Sequence, residues 1–249
     1  MADLIRLRLG EGRFVEEHLS APGPSAPANT QSDPAPAPKV QEVFRPGAAR
    51  LVVALIEAVP AGGADLAMSV VEVLEQAGHR VGILSLDKEN RLGARLGAAA
   101  PAPSWCWKQA SPDLLVRSGL RVLAPGPAAE GEIGSEAVER VLHLVRETAD
   151  IVLADLGCRW EPRLFRPVLL HAELIWVLVR AGQWTGAEMR LEQAECSGWL
   201  EMRRVRLVVV GDGAPPPAGL GVPVAGVLPA PGGEAARSFA LRELGRVSR

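Results

Sequence analysis

Residues 50–87, RLVVALIEAVPAGGADLAMSVVEVLEQAGHRVGILSLD, decide the fold. Leu51 to Ile56 is an unbroken apolar run with β-branched content, the pattern of a strand buried on both faces. Leu66, Val70, Val73, Leu74 and Ala77 then return at helical spacing, and Gly78 stands where a left-handed residue closes a helix. His79 to Leu84 is a second short apolar run, with Asp87 just past its end. Strand, turn, helix and strand make a βαβ unit. In open sheets of such units, ligands bind beyond the carboxyl ends of the strands.

Upstream, residues 20–46 open with SAPGPSAPANTQSDPAPAP, a Pro/Ala/Ser-rich stretch without periodicity that reads as a solvated linker. Before it, residues 1–19 form a short arm in which Leu4, Ile5, Leu7 and Leu9 alternate enough for one strand or a partner-binding segment. The α/β domain is expected over 47–249. Downstream, apolar runs recur at ADIVLADLG (149–157), AELIWVLV (172–179), RVRLVVVGDG (204–213) and LGVPVAGVLPAP (220–231). Between them, Ser135 can cap a helix carrying Val138, Val141, Leu142 and Val145, and TGAE (Thr185–Glu188) reads as a capping box. Phe239, Leu241 and Leu244 suit a packed terminal helix. The expected architecture is a doubly wound, mostly parallel sheet of about six or seven strands with helices on both faces.

Composition excludes several function classes. The 249 residues are about half apolar, enough for one sizeable core, and the net charge of −2 leaves no basic footprint for nucleic acid. Cys106, Cys158 and Cys196 are far apart and form no CxxC pair, so neither zinc nor a disulfide framework is indicated and a reducing cytoplasm is expected. The N-terminus has no signal-peptide core, and Val168 to Val179 is too short and too polar to span a bilayer. No GxSxG or HExxH occurs, and the histidines are scattered.

In a gapless register, the 50–87 stretch resembles the MinD/ParA group of deviant Walker A ATPases, whose first loop reads roughly GKGGVGKT. Glu57 then falls on the first Gly, Ala58 on the signature Lys, Pro60 on a Gly, Gly63 on the phosphate-binding Lys and Ala64 on the Mg-binding Thr; only Gly62 survives. Such a loop holds phosphates with successive backbone N–H groups, a helix N-terminus and a Lys, while the hydroxyl helps hold Mg²⁺. Both lysines and the hydroxyl are missing here. Pro60 lacks a donor, Glu57 puts a carboxylate where phosphates would sit, and Asp65 could complement the helix dipole internally. Of the family's second-strand DxD only Asp87 remains, Ser85 replacing the first Asp; on its residues alone Asp87 reads as an exposed acid at a strand end. ADIVLADLG resembles the Walker B strand, with Asp150 and Asp155 on its acidic positions; without the phosphates, Asp155 reads as a cap on loop amides.

SGLRVLAPGP (118–127) narrows the resemblance to the CpaE/TadZ proteins of Flp (Tad) pilus assembly. The resemblance, together with the ruined loop, implies a cytoplasmic pseudo-ATPase that localises or organises a pilus or secretion machine. It implies no ATP or Mg²⁺ cofactor, a homodimer or a pairing with an intact MinD/ParA-like ATPase, and at most peripheral contact with the inner face of the membrane. The competing readings are a nucleotide-dependent switch with an unorthodox ATP site and a ParA-like partition or cell-division positioning factor. Trp105, Trp107, Trp160 and Trp184 all follow strand ends and are the expected anchors of a protein-binding rim, whereas Trp176 lies inside a strand.

Overall fold

The computed structural model describes residues 7–9, 13–15, 51–87, 89–97, 101–127, 133–217 and 220–247. The chain divides into two units, Met1–Val43 and Phe44–Arg249. In the first, β1 (Leu7–Leu9) and β2 (Arg13–Val15) pair antiparallel with Arg8 opposite Phe14. The arm therefore carries two strands rather than one; Gly10 and Gly12 are the breaker signal that separates them in the sequence. The expected linker over 20–46 lies outside the described residues.

The second unit is built on an eight-stranded sheet. Its strands are β3 (Leu51–Glu57), β4 (Val81–Ser85), β5 (Val116–Ser118), β6 (Arg121–Ala124), β7 (Ile151–Asp155), β8 (Leu174–Arg180), β9 (Val205–Val210) and β10 (Val224–Leu228). Their spatial order is β10-β9-β8-β3-β7-β4-β6-β5, parallel throughout except for β5, which runs antiparallel to β6. The doubly wound expectation holds, with one strand more than expected. The extra edge strand β5 reads VRS, is exposed along its length, and lacks any apolar run that would announce it.

Helices cover both faces because strand residues alternate. Val52, Ala54 and Ile56 of β3 enter the core shared with α4 (Ser135–Thr148), α5 (Pro162–His171) and α6 (Trp184–Cys196). Leu51, Val53 and Leu55 enter the opposite core, shared with α1 (Gly63–Gln76) and α7 (Glu234–Val247). Two short helices, α2 (Arg91–Arg95) and α3 (Ser104–Gln109), follow β4. The predicted stripes are buried at Leu66, Val70, Val73 and Leu74 on α1 and at Val138, Val141, Leu142 and Val145 on α4, while Ala77, the C-cap of α1, is only half-buried. Each such side chain contributes about 1.5–3 kcal/mol when fully buried. Gly78 has φ +84° and closes α1 as expected.

The caps depart from expectation. Gly134 rather than Ser135 caps α4, and α6 starts at Trp184 after Gln183; neither cap carries a side-chain hydrogen bond. On α7, Ala236, Phe239, Ala240 and Leu244 are buried while Leu241 is exposed, so the helix turns its apolar stripe onto the sheet. No described helix is long and apolar enough to cross a membrane.

Candidate functional site

β3 lies between β8 and β7; the chain leaves β3 for β4 on one side and leaves β7 for β8 on the other, so the topological switch point falls at the carboxyl ends of β3 and β7. There β3 hands over to the 58–62 turn and α1. Gly62 caps α1 with φ +88° and ψ 37°, a left-handed conformation suited to glycine. A Cβ on Gly62 would also stand 2.5 Å from Cγ of Pro231, so a side chain at this position would clash as well as strain the backbone.

The turn is closed by its own first residue. Glu57 is fully buried, and its Oε2 accepts hydrogen bonds from the N–H of Ala61 at 2.5 Å and of Gly62 at 3.3 Å. Its Oε1 accepts from Nη2 of Arg91 at 3.1 Å. The Glu57 backbone is pinned as well: its N–H donates to Gly157 O at 2.9 Å, and its carbonyl accepts from the indole Nε1 of Trp160 at 2.9 Å. A carboxylate thus sits on loop amides at a helix N-terminus, the surroundings that favour an anion. Gly63 is matched to it, because a Cβ there would meet Glu57 Oε1 at 2.7 Å and Leu55 Cδ2 at 2.8 Å. Ala58 and Ala64 are buried and bring no polar side chain. The Pro60 carbonyl faces outward, accepting from Arg180 Nη2 at 3.4 Å.

Arg91, which the residue patterns did not single out, is the cation of the site. Its Nε donates to Asp87 Oδ2 at 2.8 Å while Nη2 reaches Glu57. Burial works against its charge, but the hydrogen bond to Asp87 and the fields of Glu57, Asp87 and Asp155 outweigh this and hold its pKa above the usual value. The i,i+4 spacing of Asp87 and Arg91 was the available signal. Asp87 is not the exposed acid expected from its place after the strand. It is 4% exposed, and Gly157 passes so close that a Cβ there would lie 2.8 Å from its Oδ1.

Asp155 ends β7 and is buried, its Oδ1 accepting from the Gly157 N–H at 3.1 Å, the local cap its position suggested. Burial, with Asp87 and then Glu57 adding repulsion against the partial relief of Gly157 and Arg91, pushes its pKa up to about 7. Ser85 is its register partner on β4, and its buried Oγ has no hydrogen-bond partner. Asp65 lies in the first turn of α1, where its charge complements the helix dipole as expected, and it also pairs with Arg95 on α2. Asp150, at the other end of β7, pairs with Arg80. No group of three or more His, Cys, Asp or Glu side chains among the described residues is arranged to hold a metal ion.

The tryptophans do not form the expected rim. Trp107 is fully buried, its Nε1 donating to Pro125 O at 3.1 Å, and Trp184 is 9% exposed with Nε1 on Ala214 O at 3.1 Å. Each buries its ring while satisfying its one polar atom, the usual solution for a buried indole. Trp160 is half-buried, edge-on to Trp199 at 5.5 Å and under the Arg190 guanidinium at 5.8 Å. Only Trp105 of the four is substantially exposed, at 54%. Trp176 is core, as expected.

No family model matches the chain, and no curated protein matches it. Solved structures do. MinD from Aquifex aeolicus superposes with a TM-score of 0.60 at 16% identity, over 78% of this chain and 97% of that one. A ParA family ATPase from Chlorobium tepidum gives 0.58 at 18%, over 80% and 90%. Cobyrinic acid a,c-diamide synthase from Mycobacterium smegmatis, solved with an ATP analogue and magnesium, gives 0.57 at 19%, over 77% and 93%. Over the described residues of its second unit, the chain therefore has the fold of the MinD/ParA ATPases.

Proposed function

We propose that this protein uses a MinD/ParA-type fold as a non-hydrolysing scaffold or localisation factor, of the CpaE/TadZ kind, for a pilus or secretion assembly machine. One observation carries the reading: the Glu57 carboxylate takes the Ala61 and Gly62 amides that a phosphate loop would offer to its ligand. With Gly63 and Ala64 in place of Lys and Thr, nothing on the loop supplies the cation or the hydroxyl for a metal–phosphate pair. The finer pilus assignment rests on the resemblance of SGLRVLAPGP. One of the similar structures is a MinC:MinD complex, which favours partner binding as the work of this fold here: a second copy, or an intact ATPase of the same type.

Titration calorimetry with Mg-ATP, run beside a phosphate-release assay, tests the reading. Binding no tighter than about millimolar and no hydrolysis are expected, since a loop without its cation forfeits the charge-assisted bonds that carry phosphate affinity. A micromolar dissociation constant would overturn it in favour of a nucleotide-dependent switch.

A further inference from the structure

We propose that Glu57 and Arg91 form an internal plug that keeps oxyanions out of the 58–63 turn, and that the same turn, relieved of the carboxylate, becomes an oxyanion receptor with Arg91 as its cation. The inference rests on the reading that the native chain does not bind nucleotide, and it adds a mechanism by which binding is refused.

Three features distinguish a plug from an eroded loop. First, the turn still points N–H groups inward: Ala61 and Gly62 converge on one oxygen at 2.5 and 3.3 Å. Second, the plug fills its seat: the Ala61 and Gly62 donors are spent on Oε2 and Arg91 Nη2 on Oε1, and Gly63 packs so closely that a Cβ there would stand 2.7 Å from Oε1. Third, the cation comes from α2 rather than from the turn, and it is placed independently of Glu57. The Arg91 Nε stays on Asp87 Oδ2 at 2.8 Å while only Nη2 serves Glu57. Removing the Glu57 carboxylate would therefore leave two backbone donors, the positive end of α1 and a guanidinium anchored by Asp87, all facing the vacated space.

The experiment is metal-free titration of the full chain with inorganic pyrophosphate, with thermal unfolding as the control for folding. Wild type should bind it no more tightly than about millimolar. Glu57→Ala should bind pyrophosphate about tenfold or more tightly than wild type does, the size expected when charge-assisted donors are released to a ligand. Glu57→Ala/Arg91→Ala should lose most of that gain. Glu57→Gln keeps the side-chain volume and holds the test open if the alanine variant unfolds; its neutral amide must still admit pyrophosphate more readily than the carboxylate does. A folded Glu57 variant that binds no better than wild type overturns the plug and leaves the non-hydrolysing reading intact. Wild-type affinity for Mg-ATP overturns that reading instead.

Discussion

Asp150 and Asp155 flank the same strand and live in opposite regimes. At the amino end of β7, Asp150 accepts from the Arg80 backbone N–H at 2.9 Å and from its Nη2 at 2.7 Å, and those bonds hold its carboxyl below the usual range. At the carboxyl end, Asp155 has one backbone donor, no exposure and two acidic neighbours, and its pKa rises to about 7. The first end of the sheet is solved as a structural joint. The second keeps three buried carboxylates, Glu57, Asp87 and Asp155, around one guanidinium, an arrangement that stability alone does not favour. The contrast locates the site without reference to any ligand.

The sharpest way to break that contrast is to force the loop back toward a lysine. Gly63→Lys should destabilise the protein by about 1–3 kcal/mol, because its Cβ crowds the Glu57 and Leu55 side chains in a packed interior. Glu57→Gly in the same chain should recover a large part of that loss. Chemical denaturation of the single and double variants checks this, and independent, additive effects would show that the two positions are not coupled.

A pH series sharpens the comparison. The folded-state pKa of Asp155 lies above its unfolded value, so the folded state holds the extra proton between about pH 4 and 7. Stability should therefore fall as pH rises through that window, by at most about 1.4 kcal/mol per pH unit. Asp155→Asn cannot ionise and should remove that component. His79, lowered by burial against the raising field of Asp150, contributes with the opposite sign up to about its unfolded pKa. The difference between wild type and Asp155→Asn cancels it. Asp150 belongs to a separate window: its pKa is depressed, so its contribution is present above the unfolded value and is lost only as pH falls through the folded one, below about pH 4. Parallel stability profiles for wild type and Asp155→Asn between pH 5 and 7 would contradict the burial argument.

The smallest effect belongs to the joint. Arg80 lies at the surface, and Arg80→Ala should leave the melting temperature at neutral pH close to wild type, with any difference shrinking as salt is added. A large, salt-independent loss would mean that the amino end of the sheet is not the simpler one.

How far the sequence reaches can be judged residue by residue. Strands β3, β7, β8 and β9 announce themselves because both of their faces are buried, which leaves long apolar runs that need no partner information. The exposed edge strand β5 offers no such signal. At the site, the residue register puts a carboxylate near the phosphate position, but not its return onto Ala61 and Gly62, since that depends on the left-handed Gly62 and on Arg91 arriving from α2. The place of Asp65 in the first turn of α1 is legible from the sequence, whereas its pairing with Arg95 across thirty residues is not. The tryptophans mislead for a related reason. Position after a strand end says that a residue is near the rim, while the single-turn packing of α3 decides that Trp105 points out and Trp107 in.

The contact between Glu57 and Gly63 also sets an order on mutational history. A chain that acquired a lysine at position 63 first would meet a side chain already occupying its space, whereas one that lost the carboxylate first would keep a folded turn with free amides and a waiting guanidinium. Any stepwise route from this protein to a phosphate-gripping loop therefore opens at Glu57. While the carboxylate sits on those amides a lysine at 63 meets only a clash, so the two substitutions are not interchangeable in order.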